Sequence, residues 1–183
     1  VLCYLREHFG KHEKIPFVED YKLVLKGFRK AEIIVYEKSV VGYVSYMSSY
    51  MYFDREGIVV ESSGRKLEGV PWITGMDLGR VVLYQPLPVA DSRIFEEILN
   101  LTQQLSLYEI LVDQIRFDTY NQPILTIGQM EVILGNMGNI DSKLSVLNDI
   151  LTDQPQLREI RGTLKLGDYS ETNDRAGITF KKK

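Results

Sequence analysis

The chain has 183 residues, 44% of them hydrophobic and 26% charged, enough apolar material for a packed core in one domain or two small ones. Its formal net charge is −3, so no general basic surface invites nucleic acid, and the only basic run, Lys181-Lys182-Lys183, stands at the very end. A single cysteine, Cys3, excludes an intrachain disulfide; it lies in the apolar run VLCYL, where a buried, inert thiol is expected. The chain opens in mid-pattern, without a methionine, a signal peptide or a stretch of ~20 apolar residues. It reads either as a protein soluble in full or as a fragment separated from its membrane anchor.

VLCYLREHF reads as the end of an amphipathic helix, with Leu2, Leu5 and Phe9 near one face and Gly10 as its stop. His8 and His12 have the spacing of a metal pair, but Gly10 lies between them and the chain has no third histidine, so a solvated helix end is expected. From Tyr21 the apolar period changes to two. YKLVLKG, AEIIVYEKS, VGYVSYM, SSYMYFD and GIVVESS are short runs rich in Val, Ile and Tyr, and their short links demand antiparallel pairing. The preference for tyrosine among the aromatics suits a sheet with one wet face. A junction between two sheets falls near Val44–Met47. From Arg65 to Ala90, prolines and glycines predict an ordered loop with short strand pieces.

Ser92 to Leu107 is the clearest helix, capped by Asp91 or Ser92 and striped by Ile94, Phe95, Ile98, Leu99, Leu101 and Leu105. Strands follow in ILVDQIRFDT, QPILTIG and MEVILGN. A second helix runs from about Asp141 to Leu151, with Ile140, Leu144, Leu147 and Leu151 on one side. QLREIRGTLKL returns to strand, and after a polar loop GITFKKK closes the chain. The sum is an α+β fold: strands in runs, with two helices able to cover one sheet face.

The chemistry-bearing motifs are few. The sequence has no G-x-S-x-G, no phosphate-binding GxxxxGK[ST] and no GxGxxG between strand and helix. Paired acids such as Asp54 with Glu56, Glu96 with Glu97 and Glu131 with Asp118 fit turns, helix starts and solvated strand faces. We expect no catalytic residue, no cofactor and no metal. YFDREGIVVES has the acids and glycine of a metal loop, but Gly57 follows Asp54 too soon, and Ile58-Val59-Val60 supplies no side-chain oxygen. A hairpin fits instead, with Tyr50–Phe53 and Ile58–Glu61 as its strands, Asp54 accepting from turn amides and Gly57 supplying a positive φ.

EKSVVGYV, YFDREGIVVESS and LEGVPWITG, in that order and spacing, resemble the extracytoplasmic part of the FtsQ/DivIB family of bacterial cell-division proteins. The matching residues are Glu37-Lys38 with Val40-Val41, Asp54 with Gly57, and Val70-Pro71 with Thr74-Gly75; the late RGTLKL resembles the family's apolar and basic strand. The likeness extends over roughly residues 30–166. Position 40 is valine where the family commonly has proline, and Thr163 stands where the late strand often has an acid.

The resemblance implies that residues 1–46 are the C-terminal part of an incomplete POTRA domain, with apolar surface left exposed on residues 1–42. Residues 47–183 would then be a β domain, an antiparallel or mixed curved sheet with two helices on one face. It implies a single-pass protein of the cell membrane with this region on the extracytoplasmic side, anchored by a transmembrane helix outside this chain. Its role would be that of a non-enzymatic scaffold of the divisome in septum formation, binding bitopic coiled-coil proteins of the FtsB/DivIC and FtsL types. Two alternatives remain open: a POTRA-bearing secretion or envelope-assembly protein, and a small α+β enzyme. Strands at the end of the chain leave a sheet edge to which a partner can add. The resemblance places that edge at Thr163, Lys165, Leu164 and Leu166 with Asp168 and Tyr169, and at Ile178, Thr179 and Phe180 beside them. Removing residues 177–183, or placing proline at Leu164 and Leu166, is then expected to abolish partner binding and leave the upstream domain folded.

Overall fold

The computed structural model describes residues 15–26, 30–169 and 178–183. The N-terminal helix expected over VLCYLREHF, with Cys3, His8 and His12, lies outside the described residues. The chain divides into two compact units, residues 1–39 and 40–183. In the first, β1 (Val18–Leu25) and β2 (Ala31–Glu37) form an antiparallel ribbon with a bulge between Val18 and Asp20. Every residue of β2 is exposed, Ile33 to 64%.

The second unit is α+β, built on a mixed sheet of nine strands. These are β3 (Gly42–Tyr46), β4 (Ser49–Phe53), β5 (Val59–Ser63), β6 (Trp72–Thr74), β7 (Gln114–Phe117), β8 (Pro123–Ile127), β9 (Met130–Ile133), β10 (Gly162–Lys165) and β11 (Thr179–Lys182). Their order is β11-β10-β9-β8-β7-β6-β3-β4-β5. The contact division between Ser39 and Val40 falls ahead of the junction read near Val44–Met47, because β3 pairs with both β4 and β6 and belongs to the large sheet. Gln156–Glu159, expected as strand, is instead a 3₁₀ turn (Pro155–Glu159) opened by a proline that cannot donate to a ladder.

Helices α1 (Ser92–Leu107) and α2 (Ile140–Asp153) are crossovers. β6 and β7 run parallel, as do β9 and β10, and parallel neighbours need a long return path. Two antiparallel pairings, β7 with β8 and β8 with β9, give β9 the same sense as β7. Both crossovers therefore advance in one direction between strands of one sense, and right-handed connections then place both helices on the same face. They share one core. Ile98, Leu101 and Leu105 of α1 and Leu144, Leu147 and Leu151 of α2 are buried with Ile115, Leu125, Val132 and Leu164 of the sheet. The Tyr108 hydroxyl at the end of α1 donates to the Asp141 carboxylate of α2 at 2.8 Å. Asp91 caps α1 as its sequence predicts, accepting from the Arg93 amide at 3.0 Å.

The YFDREGIVVES hairpin forms as read. The Asp54 amide donates to the Ile58 carbonyl, the Asp54 carboxylate accepts from the Glu56 and Ile58 amides at 3.0 and 2.9 Å, and Gly57 has φ +77°. Gly57 also faces the Phe95 ring so closely that an added methyl would lie 2.2 Å from it, which ties the turn to α1.

The face opposite the helices has two halves. Around β3 and β4 it is aromatic, and the loop after β5 covers it. Tyr52 is fully buried, its hydroxyl donating to the Arg65 carbonyl and accepting from the Leu67 amide at 2.7 Å. Lys66 lies over the rings of Tyr50 and Trp72. From β7 to β11 the residues of this face are polar, charged or half-buried isoleucine, with Thr163 buried among them.

Candidate partner-binding edge

A nine-stranded sheet has two edges, and here they differ. At β5 the outer side is partly covered: the Val59 amide donates to the Gln85 carbonyl and the Tyr84 amide to the Val59 carbonyl, with a bridge between Ile58 and Pro86. At β11, among the described residues, nothing pairs with the outer side.

The nine residues expected at the binding edge separate into two groups. Thr163, Leu164 and Lys165 belong to β10, which is internal, parallel to β9 on one side and antiparallel to β11 on the other. Leu164 is a core residue, Leu166 is fully buried, and the Leu166 amide donates to the Ile133 carbonyl at 2.9 Å. Asp168 is exposed just past β10, and the Tyr169 amide closes a turn onto the Leu166 carbonyl. Thr179 and Phe180, preceded by Ile178, lie on β11 and are the part of the group that reaches the edge. Proline at Leu164 or Leu166 would therefore break interior pairing and unfold the sheet, contrary to the expectation from sequence.

The direction of the free backbone groups follows from the ladder. The Lys183 amide donates inward to the Arg161 carbonyl at 3.0 Å. Bonded and non-bonded pairs alternate in an antiparallel ladder, so Thr179, Lys181 and Lys183 turn their N–H and C=O toward β10. Phe180 and Lys182 turn theirs outward, unpaired among the described residues.

What holds this short strand in place is a glycine. Phe180 stands opposite Leu164 on the helix-covered face, and its ring lies over Gly162, where an added Cβ would come within 2.4 Å of it. Gly162 is thus the seat of the Phe180 ring. Neither residue signals this in sequence, since they are 18 positions apart and joined only by register. On the opposite face the Lys183 ammonium donates to the Glu131 carboxylate at 2.6 Å, with Arg116 at 3.8 Å. The bond from Lys183 holds the Glu131 carboxyl below its usual range against the opposing effect of burial, and the fields of Lys183, Arg116 and Arg161 add to it. The terminal lysines, which read as a charged tail, include one that staples β11 to β9.

Comparison with known protein families and with curated proteins found no match. No described helix is long and apolar enough to cross a membrane, and no group of three or more potential metal ligands occurs among the described residues. A cleft of about 290 Å³ lies between the start of α1 and the β7–β8 turn, lined by Asp91, Arg93, Glu97, Tyr120 and Asn136 among others. Its Asp91 carboxyl is held low by hydrogen bonds from the Arg93 side chain and amide.

Proposed function

We propose that this chain is a binding scaffold of the FtsQ/DivIB type, a non-enzymatic member of the bacterial divisome anchored in the membrane through a helix outside this chain. A bitopic coiled-coil division protein of the FtsB/DivIC or FtsL type adds a strand to the outer edge of β11. The observation that carries the reading is the pair of outward-facing residues, Phe180 and Lys182, on a strand whose inner side is fully engaged. An added strand gains backbone hydrogen bonds there without displacing any existing pair. The ordered motifs from Glu37-Lys38 through Thr74-Gly75 supply the choice of family.

Proline at two adjacent positions tests it. Lys182 has an outward N–H, so Lys182→Pro removes a donor that only a partner uses, at the place where an edge strand tolerates proline. Lys181 has an inward N–H, so Lys181→Pro breaks the ladder to β10 and detaches β11. In a pull-down with the ectodomain of the cognate coiled-coil protein, Lys182→Pro should abolish capture with an unchanged melting temperature. Lys181→Pro should also abolish capture, with loss of amide protection along β10. Full capture by folded Lys182→Pro protein would refute strand addition at this edge.

A further inference from the structure

Two aromatic rings and one ammonium meet on the aromatic half of the sheet face, well away from the β11 edge. Tyr50 of β4 and Trp72 of β6 flank β3, opposite Ser45 and Tyr43 respectively, so all four side chains share one face. The Lys66 ammonium, from the loop after β5, lies 5.6 Å from the Tyr50 ring centroid and 5.4 Å from that of Trp72. Both distances are within the reach of a cation–π contact. The rings are backed by their neighbours, Tyr43 meeting Tyr50 edge-on at 5.3 Å and Tyr52 at 5.2 Å. The loop is held in register over them. The buried Tyr52 hydroxyl donates to the Arg65 carbonyl and accepts from the Leu67 amide, the two residues that flank Lys66. One tyrosine thus fixes the backbone on either side of the lysine and leaves its side chain free to enter or leave the site. Lys66 is exposed, and among the described residues its ammonium has neither a carboxylate nor a hydrogen-bond acceptor as partner.

We propose that Tyr50 and Trp72 form a binding site for a quaternary ammonium group, and that Lys66 is its displaceable occupant in cis. The proposal does not depend on strand addition at β11. What the site lacks selects the ligand. A primary ammonium or a guanidinium brings N–H donors that need acceptors or water, and here the cation is faced by rings. A trimethylammonium group has no N–H, carries its charge on a shell of methyl groups and packs them against aromatic faces. Lys66 holds the site weakly by comparison, since its ammonium is strongly hydrated and a less hydrated cation gains more from the same rings. Displacing it breaks no backbone hydrogen bond, because the Tyr52 clamp grips main-chain atoms of Arg65 and Leu67. Ser45, exposed and directly opposite Tyr50 on the ladder, adds no bulk beside that ring.

Trp72 is the only tryptophan of the chain, so its fluorescence reports on the site directly. The whole chain is titrated with choline chloride, at ionic strength held constant by sodium chloride, and in parallel with dimethylbutanol, the uncharged carbon isostere of choline. Choline should change the Trp72 emission saturably and bind about tenfold more tightly than the isostere, from two cation–π contacts. Lys66→Ala should tighten choline binding roughly two- to fivefold by removing the competitor. Tyr50→Leu keeps the reporter and should weaken binding by a similar factor; should it fail to fold, Lys66→Ala, on an exposed loop, carries the test. Phosphatidylcholine vesicles distinguish the source of the group. A response to vesicles as well as to choline makes the ligand a lipid headgroup, and a response to choline alone makes it a soluble or polymer-borne one; either supports the site. Equal binding of choline and its isostere, or no saturable response in both wild type and Lys66→Ala, overturns it. The same choline affinity in wild type and Lys66→Ala overturns the assignment of Lys66 as the occupant.

Discussion

Gly75→Ala should lower the stability of the large unit by about 2–5 kcal/mol, read as a fall in the urea midpoint at unchanged slope. Gly75 follows β6 with φ +86°, a region costing an alanine about 1–2 kcal/mol. Its missing Cβ is also the space in which the Phe117 backbone passes, with the carbonyl oxygen 2.3 Å from where a methyl would sit. Backbone cannot swing aside as a side chain can, so β6 and β7 would have to part. Parting them strains the parallel pairing from Trp72–Gln114 to Thr74–Arg116 and the bond from the Gln114 amide group to the Thr74 hydroxyl. Gly69→Ala is the matched control: φ there is +77°, but no atom lies within 4 Å of the added methyl, so about 1–2 kcal/mol is expected. Equal losses at the two positions would mean that the approach of β6 to β7 contributes nothing.

The same glycine shows what the sequence could and could not convey. Thr74-Gly75 is legible as part of an ordered set of motifs, yet the reason for the glycine is a contact 42 positions away. Local chemistry read well. The alternation of β4 and β5, the Asp54 turn and the Asp91 cap each depend on neighbours within a few residues, and each is found where the sequence put it. The β3–β4 turn was not legible as a type: Met47 and Ser48 both adopt positive φ, as in the turn usually built from Asn-Gly, because the register from Tyr46–Ser49 to Gly42–Phe53 imposes it. At the candidate edge the sequence reading put GTLKL at the binding edge with GITF beside it, whereas GTLKL is internal and GITF is outermost. Hydrophobicity does lean the right way, since Leu164 and Leu166 suit an interior strand and the three lysines suit an edge. The deciding fact is the parallel pairing of β10 with β9, which follows from α2 acting as a crossover and has no local signal.

Lys143 is the residue that sequence reasoning passed over most completely, and its removal should have the second large effect. It sits on α2 between the buried Ile140 and Leu144, where the helical pattern makes a lysine look like an interruption of the apolar side. The structure buries it to 1% exposure, with its ammonium donating to the carbonyls of Leu134 and Asn136 at 2.8 Å each. Those carbonyls end β9 and begin the link to α2, so the lysine closes the crossover that carries the chain to β10. Lys143→Met keeps most of the buried stem but leaves both carbonyls without their donor, and we expect a loss of about 2 kcal/mol at neutral pH. The pH dependence separates this from a packing defect. Burial lowers the lysine's pKa, and the field of Asp168 partly opposes the shift. Between that lowered value and the value of an exposed lysine, the unfolded chain binds more protons than the folded one, so this group's contribution to stability increases with pH. The neutral amine still donates to both carbonyls without the penalty of a buried charge. The stability gap between the wild type and Lys143→Met, measured by urea unfolding from neutral pH to about pH 10.4, should therefore widen as pH rises. A gap that stays constant across the range would show that the ammonium is not desolvated in solution, and a gap that narrows would show that the charged form is the one the crossover holds.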